Sequence, residues 1–520
     1  MIKHEIEKRL HTQLLTQFPI ADQTIVLEKP KNMAFGDYAT NICFALARTM
    51  KTSPKAIAES MTETLNKESD GDLRFEPMNG FINIKLSNET IWEKFMDVSR
   101  TPAEFPVSPK KVLLEYVSAN PTGPLHIGHG RWAVLGDVLA RLLTYTNHQV
   151  SREFYINDAG NQIKLLRETV AAVKEGRPIP EDGYHGAYIQ DLAKSSQDPV
   201  EANLEHHKKV LQALRVEFDC WYSEKSLHGS EKISAALEKL SEKSLTYEKD
   251  DALWFKSESL GDEKDRVLIK KDKSLTYFTV DLAYHYDKVH RGYERLINIW
   301  GADHHGYVQR VRAGVAALCG DAFLESDAFN ILIGQLVSLS RDGQPVRMSK
   351  RTGEIITLDE VIEEIGIDAT RFFLVQKSPD THVDFDLDLA KKKSAENPVY
   401  YIQYAHARIC SILRKLELPV TPASDSRLPA GDLDPKERQL LFHCLQLNDE
   451  MWNAATLLLP HKLAAYTFQL ARFFHHFYEA CPIVKAESDV QARRLAILYQ
   501  VKSTLQICLD LLGLSAPESM

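Results

Sequence analysis

Residues 112–145 constrain the fold of this chain more than any other stretch. Val112-Leu113-Leu114-Glu115-Tyr116-Val117 is a short, almost continuous apolar run, as a strand buried on both faces requires. A Pro/Gly-rich loop, Ser118 to Leu125, follows it, and a helical run from Ile127 to about Tyr145 follows the loop. Strand, loop and helix in that order belong to a parallel α/β sheet. Further strand-like runs at Glu153-Phe154-Tyr155-Ile156, Leu296-Ile297-Asn298-Ile299-Trp300 and Ile331-Leu332-Ile333 alternate with helical segments, so the middle of the chain reads as a Rossmann-like domain.

The rest of the chain does not continue that pattern. At 520 residues it exceeds one ordinary core, and the periodicities divide it in three. Residues 1–108 read as an α+β domain, with helical periodicity around Ala39 to Met50 and Pro54 to Leu65 and an alternating strand, Phe81 to Leu86. The prolines from Pro102 to Pro109 suit a linker. Residues 109–385 carry the sheet, interrupted at about 173–265 by charged helical stretches and short turns that read as an insertion. Residues 386–520 are helix-compatible almost throughout and read as an α-helical bundle. The expected fold is therefore multidomain α/β: a Rossmann-like parallel-sheet domain with an insertion, an N-terminal α+β domain and a C-terminal helical bundle.

Composition narrows the function classes. No run of about 18 uncharged apolar residues exists, and Met1 to Leu10 is charged, so neither a membrane span nor a signal-peptide core is expected. The 7 cysteines include no Cys-x-x-Cys pair, which points to a reducing compartment, the cytoplasm, and away from a structural zinc site. A formal charge of -9 runs against a nucleic-acid partner. From Pro398 to the end, however, basic and acidic residues balance, so a local basic face is compatible with the total.

Two short motifs carry chemistry. His126-Ile127-Gly128-His129, followed by Gly130, opens the helix after the Pro/Gly loop. Imidazoles one turn apart at a helix N-terminus can donate to triphosphate oxygens where the dipole favours anions, and Gly128 leaves room for a flat base. The same histidines could simply cap the helix. Arg347-Met348-Ser349-Lys350-Arg351 follows a strand and a turn, and a lysine and serine on such a loop can close on β- and γ-phosphates. Together, the His-Ile-Gly-His at the first crossover and the Met-Ser-Lys loop past the last strand resemble the two signatures of class I aminoacyl-tRNA synthetases. Arg347 stands where that family usually has its first lysine.

Phe35-Gly36-Asp37-Tyr38-Ala39-Thr40-Asn41, Asn120-Pro121-Thr122-Gly123-Pro124, Asn397 to Arg408 and the closing Leu511 to Pro517 resemble, more narrowly, arginyl-tRNA synthetases. That resemblance implies L-arginine, ATP with Mg2+, and tRNA(Arg) as ligands, no metal held by the protein itself, and a monomer without a membrane partner. Reading a planar, permanently charged, five-donor guanidinium against lysine calls for carboxylates in fixed geometry. The resemblance puts Glu115, Tyr277 and Asp281 in the guanidinium pocket and Asn120 on the α-amino or carboxylate group. It brings the loop holding His304, in Gly301-Ala302-Asp303-His304-His305-Gly306, beside adenosine and amino acid. From the residues alone, Glu115 could equally form a strand-end ion pair and Asp281 could cap a helix.

Catalysis on this reading rests on His126, His129 and Lys350, with ATP also touching Gly128, Gly130, Met348 and Ser349. The arginine carboxylate attacks the α-phosphate of ATP, and the 2′-hydroxyl of the tRNA's terminal adenosine then takes the arginyl group. The outer domains are expected to read the tRNA: Phe81 and Asn83 at its elbow, Tyr401 and Tyr404 by stacking on anticodon bases. A place in the core is the alternative for Phe81 and for both tyrosines.

Overall fold

The computed structural model describes residues 1–520 apart from 16, 21–22, 31, 99–103, 107, 321–322, 325–326, 347–355 and 419–431. Part of the expected 102–109 linker is thus outside the described residues, as are Met348, Ser349 and Lys350.

The sheet that organises the molecule has five parallel strands, in the spatial order Phe329–Gly334, Arg295–Gly301, Lys111–Glu115, Gln149–Ile156 and Cys220–Ser223. Its central strand buries Val112, Leu113 and Leu114 on both faces, which is why that run lacks polar alternation. The chain leaves this strand toward one side and returns beside it on the other. The switch point therefore falls next to Glu115, where open α/β sheets bind ligands beyond the carboxyl ends of their strands. Cys220–Ser223 comes from inside the 173–265 span and divides it in two. Before it lie helices Asn161–Lys174, Ala187–Lys194 and Pro199–Ala213, and after it a three-stranded antiparallel sheet, Thr246–Lys249, Ala252–Phe255 and Arg266–Ile269.

At the N-terminus, Phe81–Leu86 forms the middle of a three-stranded antiparallel sheet between Tyr38–Thr40 and Leu73–Met78. The helical run expected from Ala39 begins instead at Ile42, because Tyr38, Ala39 and Thr40 pair with Ile84, Asn83 and Ile82. The C-terminal body consists of helices Pro398–Lys415, Pro435–Leu445, Leu447–Thr456, His461–Ala480 and Ser488–Leu512. The last is long and apolar enough to cross a membrane, but Ile497, Leu498, Val501, Leu505 and Leu509 account for that apolarity by packing inside the bundle.

Buried ion pairs join the three bodies. Asp37 accepts two hydrogen bonds from Arg438 of the bundle, at 2.8 and 2.7 Å. Asp137, on the helix Ile127–Tyr145, pairs at 2.5 Å with Arg371, and both side chains are fully buried. Arg371 also donates to the carbonyls of Leu214 and Leu512, tying the sheet domain to the end of the chain. A charge pair so enclosed is strongly destabilising to break from one side, since the survivor stays buried.

Candidate active site

A cavity of about 900 Å3 opens at the carboxyl ends of the strands, lined among others by Glu115, Asn120, His126, His129, Tyr277, Asp281 and His304. Seven sequence-predicted residues from three separate stretches of the chain, 115–129, 277–281 and the loop of His304, thus share one cavity. Gly128 and Gly130 do not line it. A Cβ on Gly128 would meet the His126 ring at 3.0 Å, and one on Gly130 would run into Leu358 at 2.5 Å.

The backbone turns sharply as it leaves the central strand. Val117, with φ of +70°, and Ser118, at +42°, adopt left-handed conformations, and Ser118 N donates to Tyr116 O at 3.0 Å. A β-branched residue at such a φ is a strained exception, of the kind that collects at functional sites. The turn folds Ser118 back, so that its hydroxyl donates to Glu115 Oε1 at 2.9 Å and accepts from Tyr155 N at 3.1 Å.

At the far end of the loop, His126 is the N-cap of its helix. Its Nδ1 accepts from Gly128 N and His129 N, while His129 Nδ1 accepts from His126 N at 3.2 Å. The rings stack with centroids 3.7 Å apart. In the neutral state their protons therefore sit on Nε2, a donor arrangement suited to phosphate oxygens. Capping and ligand binding, alternatives in the sequence, coexist because they use different nitrogens. Trp132 stands edge-on to His129 at 5.3 Å and lies over Gly301 and Gly334, which face each other on adjacent strands. A Cβ on either glycine would meet the indole at 2.7 or 2.4 Å.

The segment 347–355 is bounded by ties on both sides. Val346 N donates to Leu339 O, Thr357 bridges to His126, and Leu358 N donates to Leu125 O at 2.8 Å. The close approach of Leu358 to Gly130 seats the helix Leu358–Ile365 against the histidine helix.

The opposite end of the cavity is acidic. Glu115 faces Asn298 across the sheet, and its Oε2 accepts from the fully buried ammonium of Lys288. Lys288 also donates to Asn298 Oδ1 at 3.1 Å and lies 4.3 Å from the centre of the Tyr284 ring. The strand-end ion pair is thus real, and Glu115 lines the cavity with its charge already engaged. Asn298 Nδ2 donates to His285 Nε2 at 2.8 Å, and His285 Nδ1 donates to the Asp281 carbonyl at 2.9 Å. Burial, with Lys288 nearby, lowers His285 to about 3, so this relay is neutral.

Asp281 is not a cap: Thr276 caps its helix, Tyr277–His290, and Asp281 projects from within it toward the cavity. Burial first, then repulsion from Glu115, pushes its carboxyl up to about 7, with Glu224 adding to the effect. Glu224 escaped the sequence reading. It is buried, Oε2 has no hydrogen-bond partner among the described residues, and its charge acts on Tyr155, Tyr277 and Asp281. Asn120 donates to Gln162 at 2.8 Å, and His304 is exposed on the rim.

Outside this cavity, Phe81 is exposed and packs edge-on against exposed Phe44 at 5.1 Å, whereas Asn83 is buried beneath, its amide against the Met78 sulfur. In the bundle, Tyr401 packs between Phe468 and His475, while Tyr404 borders a second cavity of about 810 Å3 with Arg408, Arg414, Lys485 and Tyr478.

Comparison with known proteins bears on these features together. The arginyl tRNA synthetase N terminal domain matches residues 1–86, the class I (R) tRNA synthetase catalytic domain matches 105–198 and 188–410, and the DALR anticodon binding domain matches 402–520. An arginine–tRNA ligase of Shouchella clausii is 44% identical over 98% of this chain and 97% of its own length. The chain belongs to the arginyl-tRNA synthetase family. A Bacillus subtilis arginine–tRNA ligase is 42% identical over 95% of this chain and 94% of its own. The arginyl-tRNA synthetase of Thermus thermophilus, 24% identical, shares the fold over all of both chains with a TM-score of 0.83.

Proposed function

We propose that this enzyme ligates arginine to tRNA(Arg) in the cavity described, with the guanidinium at Asp281, Glu224 adding negative charge from outside the cavity lining, and the ATP phosphates at His126 and His129. One observation carries the assignment of ends: incompletely compensated carboxylates crowd one end and two Nε2 donors stand at the other. A planar cation relieves the repulsion among Asp281, Glu115 and Glu224, whereas a neutral side chain leaves it in place. Tyr277 covers the pocket and Asn120 takes the α-amino or carboxylate group. Glu115, held by Lys288, sets the charge of the pocket wall more than it grips the substrate.

No protein nucleophile enters. The arginine carboxylate oxygen bonds to the α-phosphorus and pyrophosphate leaves; the 2′-hydroxyl of the terminal adenosine then bonds to the carbonyl carbon and AMP leaves. His126, His129 and Lys350 stabilise charge developing on the phosphates, Met348 and Ser349 also contact ATP, and Mg2+ arrives with ATP. The N-terminal body to about 108 presents Phe81 to the tRNA, and the bundle from about 386 presents Tyr404 and Arg408 to the anticodon. The chain works as a monomer in the cytoplasm.

The test is aminoacylation of tRNA(Arg) with each of twenty amino acids, alongside Lys350→Ala. Arginine alone should be charged, and the variant should lose about 100-fold or more in kcat. Charging of another amino acid, or full turnover by the variant, refutes the assignment.

A further inference from the structure

The Pro/Gly loop before His126 lacks the means to hold its own shape. Pro121 and Pro124 have no N–H to donate, and among the described residues no backbone N–H takes up the carbonyls of Pro121, Thr122 and Gly123. Three successive carbonyls are instead each met by a side chain from outside the loop. Asn203 Nδ2 donates to Pro121 O at 3.0 Å, the Tyr188 hydroxyl to Thr122 O at 3.0 Å, and His207 Nε2 to Gly123 O at 2.7 Å.

All three donors belong to one module, the helices Asn161–Lys174, Ala187–Lys194 and Pro199–Ala213. It has a small core of its own made by Ile163, Leu166, Val170, Ile189, Leu192 and Val200. Asn203 and His207 lie one turn apart on one helix face, both buried. Burial lowers His207 to about 4, so the ring is neutral, and the short contact with a carbonyl puts its single proton on Nε2. Nδ1 is then a buried acceptor without a partner among the described residues. Leucine would fill the same space without that cost, so packing does not account for a histidine here; donation to Gly123 does. The module reaches the loop a fourth time, where Gln162 accepts from Asn120. Its segment 181–185 also lines the cavity, so one unit forms part of the wall and grips the loop.

We propose that Tyr188, Asn203 and His207 are positioning residues for arginine activation, fixing the 121–123 backbone so that Asn120 and His126 stand at a set separation in the cavity. The inference rests on the reading that Asn120 and His126 meet substrate. A loop freed from its donors leaves every reacting group present but misplaced, and displacement of about 1 Å can cost ~100-fold in rate.

The experiment measures aminoacylation by the full chain over a range of tRNA(Arg) concentrations at saturating arginine and ATP, together with thermal melting, for His207→Leu, His207→Gln, Tyr188→Phe, Asn120→Ala and His126→Ala. Glutamine carries an N–H donor near the position of Nε2 and leucine carries none. His207→Leu should lose about 10-fold or more in kcat with the KM for tRNA within about twofold, while His207→Gln recovers most of the loss. Tyr188→Phe, which removes one hydroxyl and keeps the ring, should lose about threefold with unchanged melting. Equal activity in His207→Gln and His207→Leu, or full kcat in Tyr188→Phe, overturns the proposal even if His207→Leu fails to fold. Loss of activity in Asn120→Ala and His126→Ala with none in the other variants overturns the clamp alone. The converse pattern overturns the reading of the loop residues.

Discussion

The guanidinium end and the nucleotide end of the cavity are built on opposite principles. At the guanidinium end the charges are enclosed before substrate arrives, and they conflict: Asp281 sits high first because it is buried and then because Glu115 and, less, Glu224 repel it, with Lys288 compensating only in part. At the nucleotide end the histidines are held by their own helix, Nδ1 on backbone N–H groups and ring on ring. Selectivity for a fixed charge is gained by storing repulsion that only that charge relieves. Affinity for a triphosphate, met by many proteins, is gained by geometry at a helix N-terminus. The two ends should therefore respond differently to neutralised carboxylates and to pH.

The largest expected effect comes from Asp281→Asn, which keeps the shape and removes the charge. Steady-state aminoacylation should show kcat/KM for arginine down by about 100-fold or more, about 3 kcal/mol, with KM for ATP within about twofold. A loss expressed in ATP affinity would erase the contrast between the ends. Glu224→Gln sharpens it: KM for arginine should rise about 10-fold, and the acid limb of the pH profile should move to lower pH, because one source of repulsion on Asp281 is gone. An unmoved limb would make Glu224 a structural partner of His228, whose Nε2 lies 3.4 Å from Glu224 Oε1, and nothing more.

The pH profile itself follows, with its sign fixed by a raised carboxyl. Free enzyme holds a proton on Asp281 below about 7, and the guanidinium binds the carboxylate. Affinity for arginine thus grows with pH up to about 7 and is flat above it, and below it kcat/KM for arginine falls toward about tenfold per unit. Folding stability runs the other way. The folded state binds this proton more tightly than the unfolded chain, so the contribution of Asp281 is fully present below the ordinary carboxyl range, declines as pH rises, and is lost above about 7. Profiles of kcat/KM for arginine and for ATP, measured from about pH 5.5 to 8.5, check the contrast: only the first should bend near 7. Parallel profiles would place the titrating group in the chemical step.

What the sequence made legible follows from how much apolar pattern each element had to show. The central strand and Arg295–Gly301 are buried on both faces and read as long apolar runs, so their loops, and with them Asn120, His126 and His304, could be placed at the carboxyl edge. Cys220–Ser223 is a four-residue edge strand, largely half-buried, and too short for any period to register. With that strand unread, Glu224 directly after it was one acid among many. Lys288 was hidden differently. A lysine inside a helix reads as solvent-facing, and its partner Glu115 is 173 residues away. The pairing exists only once the sheet brings the strand under that helix.

The smallest expected effect lies in the bundle, where Tyr401 and Tyr404 had the same reading in the sequence and have separate fates in the fold. Tyr401 is wedged against Phe468 and His475, and Tyr404 has the Arg408 guanidinium 4.5 Å from its ring centre, at the mouth of a basic cavity. Three residues apart on a helix is about 60° of arc, enough to turn one ring to the core and the next to the groove. Tyr404→Leu should raise the KM for tRNA about fivefold, at the low end of what one base stack contributes, with melting unchanged. Tyr401→Leu should do the reverse, lowering the melting temperature by a few degrees through lost ring contacts while the KM for tRNA stays within about twofold. A larger KM effect at Tyr401 would move the anticodon surface to the other side of the helix and leave the Arg408 groove without a ligand.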